Sequence, residues 1–477
     1  MTKKNHNWSH DEALNRFEFI EKKLNLDKSL ISQVPWWDML RYKLFKEILF
    51  DLGLREKKKD EKKTNFKKKF FKILKIKNYT YDFFKFFSTK SPFWIKKKSN
   101  IILGHPRRKL EEKIYVDPYS DPFIDLFPSS INFSVIERKD INNKHLSPVK
   151  TKNIFYADTL NYLGSIFSKF QRVKLNEIDL LIISKLEKSL YEEFSLKIDI
   201  KQKLIKMIKK WLGTHFIMSF FFKIKKPKLL IIVVSAGQEA IISAAKSLNI
   251  TTLELQHGTP SRGKLNYDYS SGIEKKSFPE YFLSFGDFWP LDCELPIEKT
   301  KIIPFGYPYL FNKKNKYSNI KKENRLVIVS QSDFTNQLSS FAQKIVKKFS
   351  NDIIVEYKPH PYEYIGPEPK YFQELRNSGV IISKKQSNIY EIFARSRWQV
   401  GVFSTALYEG LYFNVACFVL NISGSEHMKK MIELDIVRLI SSPEEIDLNL
   451  KVDNNKINKI FSLPNQKNID YITSLAQ

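Results

Sequence analysis

A chain of 477 residues with 42% hydrophobic and 14% aromatic content can bury two or three cores and is too apolar to be intrinsically disordered. Its formal net charge is +28, from 80 basic and 52 acidic residues, and its two cysteines, Cys293 and Cys417, cannot form a disulfide framework, which points to a reducing cytoplasm. No apolar signal-type segment is visible near the start, and no uncharged run reaches membrane-spanning length; "FIMSFFF" and "LLIIVV" are split by Lys223, Lys225, Lys226 and Lys228.

The first elements are helical. "DEALNRFEFIEKKL" (11–24) and "WWDMLRYKLFKEILFDLGL" (36–54) space apolar residues as amphipathic helices do, the second ended by Gly53. Trp36 and Trp37 suit either the core or a membrane surface. From Lys57 to Lys98, sixteen lysines face three acidic residues and are interleaved with Phe66, Phe70, Phe71, Phe83, Phe84, Phe86 and Phe87. This run is either a solvated face or a patch for an anionic membrane, where each lysine contributes about 1 kcal/mol. Nucleic acid is disfavoured as a partner, because arginine is scarce in the run and no nucleic-acid module accompanies it. Residues 1–98 are therefore expected to form a helical, basic N-terminal region.

At "SNIILGHPRRKL" the pattern changes to a strand entering a Gly-His-Pro loop, and "INFSVIER" reads as a second strand. Helical pattern follows from Leu160 to about Phe222. Then "KLLIIVVS", "ITTLELQ" and "EYFLSFGDF" read as strands, with the helix "GQEAIISAAKSL" after the first. "TKIIPFGYPY" reads as a linker, and a second alternating series begins at "NRLVIVSQ" and runs to "VACFVLNI". Such alternation predicts an α/β protein with two Rossmann-like domains, 99–300 and 301–477, facing a ligand cleft at the carboxyl ends of their sheets. No CxxC, HExxH, GxGxxG or Walker pattern is present, so neither a metal nor a bound cofactor is expected.

Three strand ends carry polar residues. The first is Gln256-His257-Gly258-Thr259-Pro260, the second Lys358-Pro359-His360-Pro361, and the third Ser404-Thr405, with Glu409 one helical turn later. Each has a plain structural explanation: a turn histidine, a loop histidine and a helix N-cap. Together they suggest more. Ser404 and Thr405 at a helix N-terminus form an anion site, His360 between prolines is a stiff donor, Lys358 adds charge, and Glu409 is placed to accept from ribose hydroxyls or to be a surface residue.

These motifs resemble those of GT-B sugar-nucleotide transferases, and more narrowly bacterial capsule and lipopolysaccharide enzymes. "KPHP" and "FSTALYEG" match the HP and Ser-Ser/Thr motifs by which bacterial sialyl- and polysialyltransferases hold a CMP-sugar. "LQHGTPSRGK" is similar to the His-Gly-Thr-Pro segment of CDP-glycerol glycerophosphotransferases, where the histidine acts as base, and "PFGYPYLFN" to their Gly-Tyr-Pro segment. The resemblance covers about Lys228 to Ile422. It departs at Gly401-Val402-Phe403, where teichoic-acid enzymes have an acidic residue, and at Gln256-His257, where polysialyltransferases have an acidic pair.

The resemblance implies a nucleotide-activated sugar as co-substrate, a cytidine nucleotide favoured, and a glycan or glycolipid acceptor. His257 would be the base on the acceptor side, with Glu239 as an alternative base or orienting group. Lys358, His360, Pro361, Ser404, Thr405 and Glu409 would bind the donor. Gln256, Gly258, Arg262 and Lys264 would meet the acceptor, and Glu254 alternates on the strand toward the cleft or has a structural role. The alternatives are polyol-phosphate transfer from CDP-glycerol and a non-catalytic polysaccharide-binding scaffold. The expected location is cytoplasmic, peripheral on the inner face of the inner membrane.

Overall fold

The computed structural model describes residues 8–54, 89–140, 142–270, 272–349 and 352–477; most of the lysine-phenylalanine run lies outside them. The chain divides into two compact units. One comprises residues up to Ser284, Cys293–Ile303 and Asn465–Gln477; the other comprises Phe285–Asp292 and Pro304–Pro464.

In the first unit, β1 (Asn100–Leu103), β4 (Phe133–Glu137), β5 (Ile154–Tyr156), β6 (Leu229–Ile232), β7 (Thr251–Leu255), β8 (Tyr281–Ser284) and β9 (Ile302–Pro304) form one sheet in the order β5-β4-β1-β6-β7-β8-β9. All pairings from β5 to β8 are parallel. A short antiparallel ribbon of β2 (Lys109–Glu111) and β3 (Ile114–Val116) lies outside it. β1 and β6 are buried at every position, as expected of strands covered on both faces.

The N-terminal helices His10–Leu24 and Trp36–Asp51 share one core with helices Glu177–Phe194 and Ile200–Lys225 and with Leu265, Tyr269 and Ile273. Ser9 caps the first helix through a bond from the Glu12 N–H, and acidic residues occupy its first turn. Trp36 and Trp37 are 0% and 2% exposed, so they are core residues, and the membrane-surface alternative for them is removed.

In the second unit, β10 (Arg325–Val329), β11 (Ile354–Lys358), β12 (Ile381–Ile382), β13 (Trp398–Gly401), β14 (Ala416–Leu420) and β15 (Arg438–Ile440) form a parallel sheet in the order β12-β11-β10-β13-β14-β15. Leu326, Ile328, Val400 and Phe418 lie at the centre of its core. The α/β class with two Rossmann-like domains, expected from the alternation, is present. The segment read as a linker instead contains β9 and the first residues, Pro308 and Tyr309, of the helix Pro308–Lys316. Pro308 opens that helix, where its missing N–H costs nothing. Among the described residues no helix is long and apolar enough to cross a membrane.

Candidate active site

In the first unit the strands succeed one another outward from β1 through β4 to β5, then from β6 through β7 to β8, so the order reverses between β1 and β6. Open α/β sheets hold ligands outside the carboxyl ends of strands at such a reversal. Gly104-His105 follow β1 there and Gln256-His257 follow β7. The two histidine rings are 5.9 Å apart between centroids, and Tyr119 lies 5.3 Å from His105 and 6.3 Å from His257. The Tyr119 hydroxyl donates to the His257 carbonyl at 2.8 Å. Asp117 organises the facing loop, accepting from the backbone N–H groups of His105 and Tyr119, each at 3.0 Å, and from the Ser120 hydroxyl at 2.7 Å. Gly104 permits this approach: a Cβ there would lie 3.3 Å from the Asp117 carboxylate and 3.1 Å from Val135.

Behind His257 stands a buried relay. Its Nδ1 is 3.3 Å from the Tyr267 hydroxyl oxygen, and that hydroxyl donates to Glu254. Glu254 is fully buried on β7, accepts from the Ser235 N–H at 3.3 Å, and has a second oxygen without a hydrogen-bond partner among the described residues. Burial pushes its carboxyl up to about 7. Because the Tyr267 proton is committed to Glu254, the phenolic oxygen accepts from Nδ1–H of His257. This assigns the tautomer whose Nε2 carries the lone pair.

The His257 side chain is 23% exposed. Burial, reinforced by His105, Lys264, Arg107 and Arg138, brings it down to about 3. Burial likewise lowers His105 to about 4, against the opposing pull of Asp117. Both rings are therefore neutral at pH 7. His105 accepts from the Arg107 N–H at Nδ1, at 3.2 Å, so its proton sits on Nε2.

Other residues proposed for this side have local partners. Glu239 opens the helix Glu239–Lys246 and accepts from the Gly237 N–H at 3.0 Å. The Gln256 amide donates to the Gly258 carbonyl at 2.8 Å. Arg262 grips Glu18 with two bonds of 2.6 and 2.7 Å and reaches Asp268 at 2.7 Å. The Lys264 ammonium donates to the Thr259 carbonyl at 2.5 Å and to its hydroxyl. Arg262 and Lys264 thus shape the loop that carries His257.

In the second unit the order reverses between β10 and β13. The Gln331 side chain, just past β10, accepts from the Phe403 N–H at 2.8 Å and ties the two strand ends together. Ser404 caps the helix Thr405–Tyr412, accepting from the Ala406 N–H at 3.3 Å; the remaining N–H groups and the dipole favour an anion. Glu409 is half-buried on the same helix. Just past the end of neighbouring β11, His360 accepts from the Tyr362 N–H at Nδ1, at 3.2 Å, while Pro361 opens the short turn Pro361–Tyr364. That bond puts the ring proton on Nε2, making it a donor. Glu363 fixes the turn by accepting from the His360 N–H at 2.7 Å and the Ser330 hydroxyl at 2.6 Å. Lys358 donates to the carbonyls of Ser387 at 3.1 Å and Lys384 at 3.4 Å, so its charge braces a loop; burial lowers its pKa.

Sequence reasoning missed His105, Tyr119 and Tyr267 in the first unit. It also missed a ring cluster past the ends of β10, β13 and β14: Phe334 and Phe403 are 5.8 Å apart, and Phe403 and His427 4.8 Å. His105 alone had a readable signal, the same strand-to-Gly/Pro junction that marked His257. Among the described residues no group of three or more His, Cys, Asp or Glu side chains is arranged to hold a metal ion.

No protein-family model matches the sequence, and no curated protein does. Among solved structures, UDP-GlcNAc 2-epimerase from Methanocaldococcus jannaschii is similar over 79% of this chain and 98% of its own, at 12% identity and a TM-score of 0.43. UDP-GlcNAc 2-epimerase from Neisseria meningitidis, bound to UDP-GlcNAc, covers 79% and 93% at 12% identity and a TM-score of 0.44. The wall teichoic acid polymerase TagF covers 85% and 95% at 11% identity and a TM-score of 0.41.

Proposed function

We propose that the protein is an enzyme that transfers a sugar from a nucleotide-activated donor to a hydroxyl of a glycan or glycolipid, with His257 as general base. The observation that carries this is the 3.3 Å contact of His257 Nδ1 with the Tyr267 hydroxyl, itself bonded to Glu254, which supports a neutral ring with its lone pair on Nε2. A neutral imidazole so oriented takes the acceptor proton as the hydroxyl attacks the anomeric carbon. The cations that lower His257 also make it a weak base when no substrate is bound. The departing nucleotide phosphate would be met by His360 Nε2–H and by the helix end at Ser404 and Thr405.

A cytidine nucleotide is the favoured donor, on the resemblance of "KPHP" and "FSTALYEG", and capsule or lipopolysaccharide synthesis the favoured setting. Polyol-phosphate transfer is the second reading, favoured by His257-Gly258-Thr259-Pro260. Incubation with CMP-sialic acid, CMP-Kdo, CDP-glycerol and common UDP- and GDP-sugars separates the two, since release of CMP from CDP-glycerol alone would establish the second. A protein that binds and cleaves none of them would be a scaffold instead.

Peripheral attachment to the inner membrane belongs to the same proposal. It is supported by the lysine run and by the exposed Phe170, Phe216 and Phe220. Replacing the lysines between 57 and 88 with glutamine should abolish flotation with anionic liposomes; unchanged flotation would refute attachment through the run.

A further inference from the structure

A pocket of about 350 Å³ opens at the carboxyl ends of β4 and β5, within the ~300–1,000 Å³ typical of ligand sites. Arg138 and Lys139 from the end of β4 line it, with Asn143, and Asp158 and Asn161 from the helix Asp158–Phe170 after β5. Its charges do not cancel. The Lys139 ammonium lies 2.5 Å from Asp158, which also takes His145 Nε2 at 2.5 Å. Glu137 is engaged by Arg108 at 2.6 Å and by His145 at 3.2 Å. Arg138 remains: its Nε is buried with no hydrogen-bond partner among the described residues, and burial holds its pKa below the usual arginine value.

We propose that this pocket is a subsite for an anionic sugar residue of the acceptor, whose carboxylate or phosphate pairs with the Arg138 guanidinium. A half-buried guanidinium whose Nε is buried without a partner among the described residues is costly to leave uncompensated, and its planar fork of donors fits either anion. Asn143 and Asn161 offer both donors and acceptors for sugar hydroxyls. The place is apt. Gly104 still donates to Ile136 at 3.1 Å beyond the β1–β4 ladder, so His105 and Arg138 leave adjacent parallel strands at the same edge of the sheet. The bound sugar would thus lie in the row of strand ends that carries the two histidines. That it belongs to an acceptor rests on the transferase reading; that it binds does not.

The test is titration calorimetry on the full chain with glucose 6-phosphate, N-acetylneuraminic acid and neutral N-acetylglucosamine, alongside CMP, CDP and UDP. One of the anionic sugars should bind, which tells phosphate from carboxylate, and the neutral sugar should not. Arg138→Gln should weaken that binding about tenfold to a hundredfold, and Arg138→Lys by less. Asn161→Trp, on an exposed helix surface, should block the pocket without removing the guanidinium, and nucleotide affinity should be unchanged in all three variants. Wild-type affinity in Arg138→Gln, equal binding of the neutral sugar, or no anionic sugar bound by the wild type would each overturn the proposal. Failure of the wild type to bind any nucleotide would defeat the transferase reading and leave the pocket result standing.

Discussion

The phenolic oxygen of Tyr267 lies 3.3 Å from Nδ1 of His257, and its proton is given to Glu254. The ring's tautomer is therefore set from beneath, by a residue that need not touch substrate. In Tyr267→Phe this restraint disappears. Nitrogen-15 NMR of labelled histidine should then show the wild-type preference for Nδ1–H replaced by a mixture, with kcat reduced and KM for the acceptor little changed. His257→Ala should lose about 10²–10⁴-fold in kcat; full activity in that variant would remove the base assignment.

Glu254 carries a pH dependence whose sign can be worked out. Its folded pKa is about 7 against an ordinary 4.5. Between those values the folded protein keeps a proton that the unfolded chain has released. Stability therefore falls as pH rises through this window, by up to about 3 kcal/mol, and then levels off. Glu254→Gln abolishes the titration. The variant's melting temperature should gain on the wild type from about pH 5 to about pH 8, and a constant difference would mean that Glu254 does not titrate there.

His360 gives a prediction for the donor side. With Nδ1 held by the Tyr362 N–H, only Nε2–H serves a phosphate, and that donor contributes a charge-assisted bond. His360→Ala should weaken nucleotide binding about tenfold or more and raise the donor KM, while anionic-sugar binding at Arg138 is unchanged. Unaltered nucleotide affinity would exclude His360 from the donor site.

Strands such as β10 and β13 were legible because burial on both faces leaves mostly apolar runs, and the ends of β7 and β11 were legible because His257-Gly258 and Pro359-His360 interrupt the runs abruptly. The start of the helix Pro308–Lys316 was misread because Pro304, Gly306 and Pro308 look like a linker, whereas a proline in the first turn of a helix carries no penalty. Within the site, His257 could be found from its junction. Tyr267 could not, because its importance comes from a contact with Glu254, thirteen positions earlier in the chain and across a mostly irregular segment. Arg138 was similarly hidden: a basic residue after a strand is ordinary, and only the pairing of its neighbours leaves it without compensation among the described residues.

The buried pair Arg41–Glu21 supplies a stability test. Arg41 meets Glu21 at 2.5 and 3.0 Å, and it also donates to the carbonyls of Leu265 at 2.9 Å and Asp268 at 2.6 Å. Arg41→Met strands a buried carboxylate and should cost about 3–5 kcal/mol. The double variant Glu21→Leu/Arg41→Met should recover much of that in thermal melts. It should remain impaired in turnover, because the two carbonyls that flank Tyr267 stay without their donor.

Four anchors join the leading helices to the chain beyond β7: Glu18 to Arg262, Asp27 to the Glu274 N–H, Asp38 to the Ser277 N–H, and Arg41 to the Leu265 and Asp268 carbonyls. The opening fifty residues thus act as the mould in which the His257 loop is cast. Cutting the chain from its front to study the lysine run would remove that mould as well, and a loss of membrane binding and a loss of turnover would arrive together with different causes. The run has to be altered in place, with the first helix and its anchors left intact.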